Sequence, residues 1–590
     1  VAAQEPVWVA SYGPGVPAHL DYGSTTLLDQ LDRTLAAHGD RPALDFIGRS
    51  TTYARLGDRV QRVAEGLRML GVGPGDRVAL LMPSCPQNVI AFYAVLRLGA
   101  IAVQHNPLYT AAELRHPFVD HGAKVAIVWD KAVPVVDQLR ADTALDHVVS
   151  VDLTDELPLA KRVALRLPIA KARAARAELT APAPSTIPFR DLAGSPPLDS
   201  AHPAPTAEDV ALLLYTSGTT GVPKGVPLTH RNLVANVVQG RAWVPGLQEG
   251  RESFLLALPL FHAYGLTIGV LFGISLGARL VLLPRPEIGL LMDAIKRDVP
   301  SFVPAVPPLY ERIVAEAERR QVSLQGIRYA LSGAMSLPAD LVARWEAATG
   351  GLLVEGYGLT ETSPVVVGNP MSPGRRPGCI GVPFPDVEIR IADPDHLERD
   401  VPRGERGELL VRGPQVFAGY RGLPDETAKA FHDGWFRTGD IVTMDDDGFL
   451  TVVDRLKEVI ITGGFNVYPS EVEAVLRRHD SVADVAVVGM PAAGGSEQVV
   501  AAVQPHEGRH IDLEDLERHS REVLTGYKVP RRFVHVPELP TNLMGKVLRR
   551  EVAKVVQRLH PEHPDDRPEN ADGRPEDAEG RHEPGPRQQG

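Results

Sequence analysis

The segment Tyr215-Thr-Ser-Gly-Thr-Thr-Gly-Val-Pro-Lys-Gly225 begins where an unbroken apolar run, residues 210–215, gives way to polar residues. Six consecutive hydroxyl or glycine residues follow, Thr216, Ser217, Gly218, Thr219, Thr220 and Gly221, and then Lys224. Glycine lets a backbone wrap an anion, hydroxyls and amides donate to it, and lysine supplies a cation. No Gly-x-x-x-x-Gly-Lys-Ser/Thr spacing runs through the segment, so it is not a Walker A loop. Its composition alone also permits a flexible turn. The apolar run before it lacks the alternation of a half-exposed strand, which marks a strand covered on both faces.

Similar runs recur on either side, at 77–82, 101–104 and 124–129 and at 279–283, 301–304 and 328–332. Amphipathic helices at 86–98, 290–297 and 308–320 separate them. Apolar strands alternating with helices imply an α/β fold with parallel-type sheet under helical cover. Between 388 and 411 strands with Gly and Pro punctuation suggest a small β subdomain. Asp446-Asp447-Gly448 is a hairpin signal, and 457–461 reads as a strand. A helix at 469–478, strands at 484–488 and 498–503 and a helix at 513–523 form a compact α+β unit. The expected layout is an N-terminal extension (1–20), a large domain (21–454), a small mobile C-terminal domain (455–559) and a tail (560–590). The tail is acidic, rich in Pro and Gly and without apolar periodicity, and is expected to be disordered.

Length requires more than one core, since 590 residues exceed what a single one supports. A net charge of −12 excludes a general nucleic-acid binder. Cys85 and Cys379 have no metal or redox spacing, which fits a reducing, cytoplasmic setting. No basic-then-apolar leader opens the sequence. Residues 254–278 carry no Asp, Glu, Lys or Arg, but Pro259 and His262 break the run, so a buried helix is expected rather than a membrane span. Residues 160–178 form a basic insertion with Lys161, Arg162, Arg166, Lys171, Arg173 and Arg176. A solvated helical face and peripheral contact with anionic lipid are both open readings of it.

Taken whole, the 215–225 string resembles the signature of the adenylate-forming superfamily, and further motifs follow in that family's order. They are Pro259-Leu-Phe-His-Ala-Tyr-Gly265, Ser332-Gly-Ala334, Glu355-Gly-Tyr-Gly-Leu-Thr-Glu-Thr362, Phe436-Arg-Thr-Gly-Asp440, Asp454-Arg-Leu-Lys457, Gly463-Gly-Phe-Asn-Val-Tyr-Pro469 and Pro540-Thr-Asn-Leu-Met-Gly-Lys546. Within the superfamily the chain looks most like bacterial long-chain fatty acid–CoA ligases. The resemblance implies ATP, Mg²⁺ and coenzyme A, with a carboxylic acid activated as its adenylate. It places Thr216 to Gly221 and Lys224 on the β- and γ-phosphates, Gly333, Ala334, Tyr357 and Gly358 at adenine, Asp440 at the ribose hydroxyls and Arg455 on the nucleotide. Thr360 and Glu361 fall at the α-phosphate and Mg²⁺, and Lys546 between the two reacting anions. Lys457 is the implied hinge, with Gly463 and Gly464 on the pantetheine path, although a tight turn explains those two glycines as well.

Peptide-synthetase adenylation domains carry Asp where this chain has His262, so an amino acid substrate is disfavoured, because a buried ammonium needs a partner. Gly265, Gly269, Gly273 and Gly277 repeat every fourth residue and would share one helix face. They fit either close helix packing or a groove for an acyl chain, which makes His262, Gly265 and Gly269 substrate-side candidates. A fatty-acyl-AMP ligase serving a carrier protein, an aryl-CoA ligase, a luciferase-like enzyme and a non-catalytic nucleotide or lipid-binding uptake partner remain alternatives. The retention of Lys224, Glu361 and Lys546 weighs against the last of these. Oligomeric state, including a homodimer, is left open.

Overall fold

Apolar runs of four to seven residues form the strands of two large sheets, which carry the site on loops at their strand ends. The computed structural model of the chain describes residues 5–216, 222–462, 465–492, 497–542 and 545–559. In a seven-stranded sheet the spatial order is Ile187–Pro188, His147–Val151, Val125–Trp129, Arg77–Leu81, Ile101–Gln104, Val210–Thr216 and Lys224–Thr229. All neighbours are parallel except the last pair, where Thr216 faces Lys224 across an antiparallel ladder. The 215–225 segment is therefore the connection between two adjacent strands.

The nine-stranded sheet has a parallel centre, which includes Ser253–Leu256, Arg279–Leu282, Phe302–Ala305, Tyr329–Ser332 and Leu352–Gly358. Antiparallel strands close both of its edges, so the sheet is mixed rather than wholly parallel. The helix Pro86–Arg97 is buried along nearly its whole length. Pro86 occupies its first turn, where the missing amide costs no hydrogen bond. A smaller antiparallel sheet spans residues 388–455, and its Trp435–Met444 and Leu450–Arg455 strands pair Asp440 with Arg455. Their turn holds Gly448 at φ +87°, a left-handed conformation that glycine adopts without strain.

The contacts divide the chain into two compact units. The larger runs to Ile460 and includes Asn466–Glu471 and Thr541–Lys546. The smaller comprises Ile461–Phe465, Val472–Pro540 and the residues from Val547 on. In the smaller unit Val482–Pro491, Glu497–Pro505 and Arg532–His535 form a sheet, the helix Leu513–Val523 buries Leu516 and Ser520, and the helix Arg549–Leu559 buries Val552 and Val556.

Two local expectations change. Leu456–Glu458 is a short 3-10 turn and the strand begins only at Ile460, so 457–461 is not one strand. The 254–278 run is a strand followed by a buried helix, but that helix is wide-turned from Gly265 to Leu271 and α-helical only over Phe272–Ser275. Gly277 lies beyond it at φ +64°, so the four glycines do not share one regular helical face. Among the described residues no helix is long and apolar enough to cross a membrane.

Candidate active site

Lys224 opens its strand with its ammonium paired to Glu426 and lying 4.8 Å from the centre of the Tyr420 ring. Lysine holds Glu426 down to about 2, so the pair is ionised at neutral pH. Across from it the 3-10 turn Thr360–Thr362 presents Glu361, which is buried and accepts the Tyr420 hydroxyl at 2.9 Å. Burial raises Glu361 above the usual carboxylate range, while the Tyr420 hydrogen bond and the charges of Lys224 and Arg455 pull it back. A carboxylate pushed up by desolvation is poised to receive a cation.

A second group faces the other end of the same region. Tyr357 donates its hydroxyl to Asp440, and the Arg455 guanidinium stands 3.3 Å from the other Asp440 oxygen. Burial raises Asp440, and Arg455, Tyr357 and Lys546 oppose that rise. Lys546 thus acts through space on Asp440. Its loop is turned by Gly545 at φ +79°, with the Lys546 amide donating to Asn542 Oδ1 and the Asn542 amide to the Lys546 carbonyl, both at 2.9 Å. Gly358 admits no side chain, since a Cβ there would lie 1.8 Å from the Pro364 carbonyl oxygen. Gly333 packs against the Tyr264 ring, and Ala334 holds φ +67°, so its backbone turns sharply at the strand end. Lys457 is lowered by burial and by Lys224, which places its charge in the same field.

Lys224, Glu361, Tyr357, Asp440, Arg455, Lys457 and Lys546 are therefore brought together in the larger unit. Thr216 ends its strand opposite Lys224 and Thr360 opens the Glu361 turn. Ser217, Gly218, Thr219, Thr220, Gly221, Gly463 and Gly464 lie outside the described residues. Three partners were not foreseen from sequence. Tyr420 and Glu426 hold Glu361 and Lys224, and Asp120 accepts the Tyr215 hydroxyl at 2.6 Å while facing Arg421. The signal for Tyr420 and Glu426 is Gly419-Tyr-Arg-Gly422 before a Pro-initiated acidic helix, Pro424–Ala430.

The glycine stripe does not form a groove. A Cβ on Gly265 would meet the Pro259 carbonyl at 2.2 Å, one on Gly269 meets Leu256, and one on Gly273 meets Leu280 at 2.5 Å. Protein fills that space, and close packing explains the glycines. His262 is half-buried and kept neutral by burial, its ring accepting the Tyr264 amide. The open space lies elsewhere, in a mainly apolar cavity of about 680 Å³ at the carboxyl ends of strands from both large sheets. Leu108, Trp129, Leu258, Phe261, Val306 and Leu309 wall it. Ligands of open α/β sheets bind at such strand ends.

The motif residues and this geometry coincide with a family. Residues 31–421 match the AMP-binding enzyme model and residues 471–546 the AMP-binding enzyme C-terminal domain. The chain belongs to the AMP-binding enzyme family. This AMP-binding enzyme is 36% identical over 555 residues to a long-chain-fatty-acid–CoA ligase of Bacillus subtilis (strain 168), covering 93% of this chain and 98% of that one. It is 37% identical to a feruloyl-CoA synthase of Amycolatopsis sp, over 86% and 94% of the two chains. In structure it resembles the anthranilate CoA ligase AuaEII in complex with anthranoyl-AMP, with a TM-score of 0.77 at 27% identity over 91% of this chain and 98% of the other.

Proposed function

We propose that this AMP-binding enzyme is an acid–thiol ligase that joins a medium- to long-chain fatty acid to coenzyme A through an acyl-adenylate. The observation that carries the reading is the convergence of Lys224, Glu361, Asp440, Arg455 and Lys546 in one unit that also holds the apolar cavity. The likeness to a long-chain-fatty-acid–CoA ligase points the same way.

In the first half-reaction a carboxylate oxygen bonds to the α-phosphorus of ATP as the bond to the bridging oxygen of pyrophosphate breaks. Two anions must meet, and their repulsion at an effective protein dielectric is several kcal/mol. Fixed cations and donors remove that obstacle without reorganising during the step. Lys224 with residues 216–221 would hold the β- and γ-phosphates, Lys224 exchanging Glu426 for phosphate oxygen. Tyr357 and the Gly333–Ala334 backbone would take adenine, Asp440 and Arg455 the ribose, and Thr360 the α-phosphate. Lys546 would sit between carboxylate and phosphorus. Among the described residues no group of three or more metal-ligating side chains exists. Glu361 as a single buried carboxylate fits Mg²⁺, an ion commonly held by one or two carboxylates plus substrate phosphates. Bound there, Mg²⁺ would neutralise charge on the phosphates.

In the second half-reaction the thiol sulfur bonds to the acyl carbon, AMP leaves and the thiol proton passes to solvent. Lys546 would not be needed then, and a hinge at Lys457 would let Gly463 and Gly464 take its place. The likeness to a feruloyl-CoA synthase favours an aryl acid as the second reading.

Pyrophosphate release with MgATP across fatty, aromatic and amino acids, with and without coenzyme A, tests the assignment. Turnover that requires a fatty acid and yields its thioester is expected. Release only with aromatic acids moves the assignment to an aryl ligase, and no release with any acid overturns it.

A further inference from the structure

The segment that would take the phosphates leaves its sheet at Tyr215 and Thr216 and returns at Lys224 and Gly225, which pair across the antiparallel ladder. Such a segment binds an anion well only if its ends are held, because free backbone must be ordered when the ligand arrives. The helix Ala111–His121 reaches both ends. A capping box of Thr110 and Glu113 starts this helix, and Gly122 ends it at φ +59°. Its Asp120 carboxylate accepts the Tyr215 hydroxyl at 2.6 Å, and its His116 ring lies 3.2 Å from the Pro223 carbonyl oxygen.

Asp120 also meets a third segment. The Arg421 guanidinium stands 3.7 Å from Asp120 Oδ2, the oxygen that Tyr215 uses, and the Arg421 amide donates to the Gly225 carbonyl at 2.9 Å. Residue 225 must be small for this approach. A Cβ there would stand 3.3 Å from the Arg421 Cβ and 3.4 Å from Asp120 Oδ2. Beside Arg421 is Tyr420, whose hydroxyl serves Glu361 and whose ring faces Lys224. One carboxylate thus joins the start of the segment, its return and the turn that carries Tyr420. Tyr215 is held from behind as well, its ring stacked on His105 with centroids 5.8 Å apart. His105 and His121 are buried, with their Nε2 atoms 3.1 Å apart. The Ala123 amide donates to His121 Nδ1 at 3.0 Å, so neutral His121 carries its proton on Nε2 and donates it to His105. Burial keeps His105 neutral down to about 3, which makes the pair an uncharged wall for the Tyr215 ring.

We propose that Asp120 is a positioning residue for ATP: through Tyr215 and Arg421 it fixes both ends of the 216–224 segment and the turn bearing Tyr420. Lys224 and Glu361 are thereby set to meet the same triphosphate. Asp120 acts through these partners and not on a reactant. The inference rests on the nucleotide roles of the previous section and is independent of which acid is activated.

Calorimetric titration of the full chain with MgATP in the absence of acid, followed by both half-reactions, tests this. Asp120→Asn keeps the side-chain shape and loses the charge. Tyr215→Phe keeps the ring against His105 and loses the hydrogen bond, so it carries the test even where Asp120→Asn does not fold. Each should weaken MgATP binding and raise KM for ATP by about tenfold, the worth of one hydrogen bond to a charged group. KM for the acid, and thioester formation from supplied acyl-adenylate, should change little. The double variant should fall well short of the product of the two losses, because both remove one shared contact. Arg421→Lys should recover most of what Arg421→Met loses. Unchanged MgATP binding in the folded single variants overturns the assignment, as do multiplicative losses in the double variant. Equal losses in both half-reactions overturn it too, since they mark general damage to the fold. Weakened MgATP binding in an enzyme that turns over no acid leaves Asp120 in its role and removes the ligase reading alone.

Discussion

On one side of the larger unit, Lys224, Glu361, Tyr357 and Asp440 each meet a named polar partner, and every partner fixes one atom of the site. On the other, a cavity of about 680 Å³ is walled by apolar side chains from loops after at least five strands, and no single contact fixes it. The polar side tolerates few residue types, because a buried charge without its partner costs several kcal/mol. The apolar side tolerates many, because volume rather than identity sets its shape. Removal of a charged group on the first should therefore cost most, and changes on the second should act by degree.

The largest effect is expected from Lys546→Ala. Acyl-adenylate formation should fall by about 10²- to 10³-fold, as when a charge-stabilising donor is removed from a transition state. Thioester formation from supplied acyl-adenylate should change little. Rapid-quench measurement of both halves checks this, and equal losses in both would mean that Lys546 holds structure rather than charge.

Next comes the cavity. Leu309→Trp adds bulk to its wall and should lower the rate ratio of long over short acids by about tenfold, on the scale of a few methylenes. Gly269→Phe should instead destabilise the fold, because Leu256 already occupies the space beside it. A chain-length panel with thermal melts distinguishes the two. A folded Gly269→Phe enzyme with shortened preference would restore the groove.

Tyr420→Phe is milder, with an expected loss of roughly tenfold, the worth of one hydrogen bond to a charged group. It also makes a directional claim. The Tyr420 hydroxyl lowers Glu361 against burial, so its removal raises Glu361 further and moves the acid limb of the pH–rate profile upward. An unmoved limb would show that Glu361 does not need its charge.

The smallest effect lies in stability. Glu355 is buried and raised to about 8 by desolvation, against the pull of the Leu337 amide it accepts. The folded state holds that proton above the unfolded value, so stability from this group is full below about pH 4 and is lost as pH rises toward 8. Glu355→Gln should melt higher than the parent by a margin that widens over this window. Parallel melting curves from pH 5 to 8 would contradict it.

The same contrast decides what was legible. Strand 101–104 and the helix beginning at Pro86 are readable because buried parallel sheet leaves long apolar runs. The nucleotide residues are readable because their chemistry needs particular side chains at fixed spacing. Tyr420 and Glu426 were not, since each acts through a partner some 60 or 200 residues away. The cavity was not, since any apolar residue at a strand end can line it. The glycine stripe was ambiguous because spacing alone does not tell whether ligand or protein fills the space.

The measurement closest to the central claim follows the oxygen. The enzyme is supplied with a fatty acid labelled with ¹⁸O in its carboxylate, MgATP and coenzyme A, and the products are weighed by mass spectrometry. Attack of the carboxylate on the α-phosphorus leaves one ¹⁸O in AMP and one in the thioester carbonyl, which is the result expected here. Unlabelled AMP, or ADP in its place, would contradict an acyl-adenylate and with it the roles given to Glu361, Asp440 and Lys546.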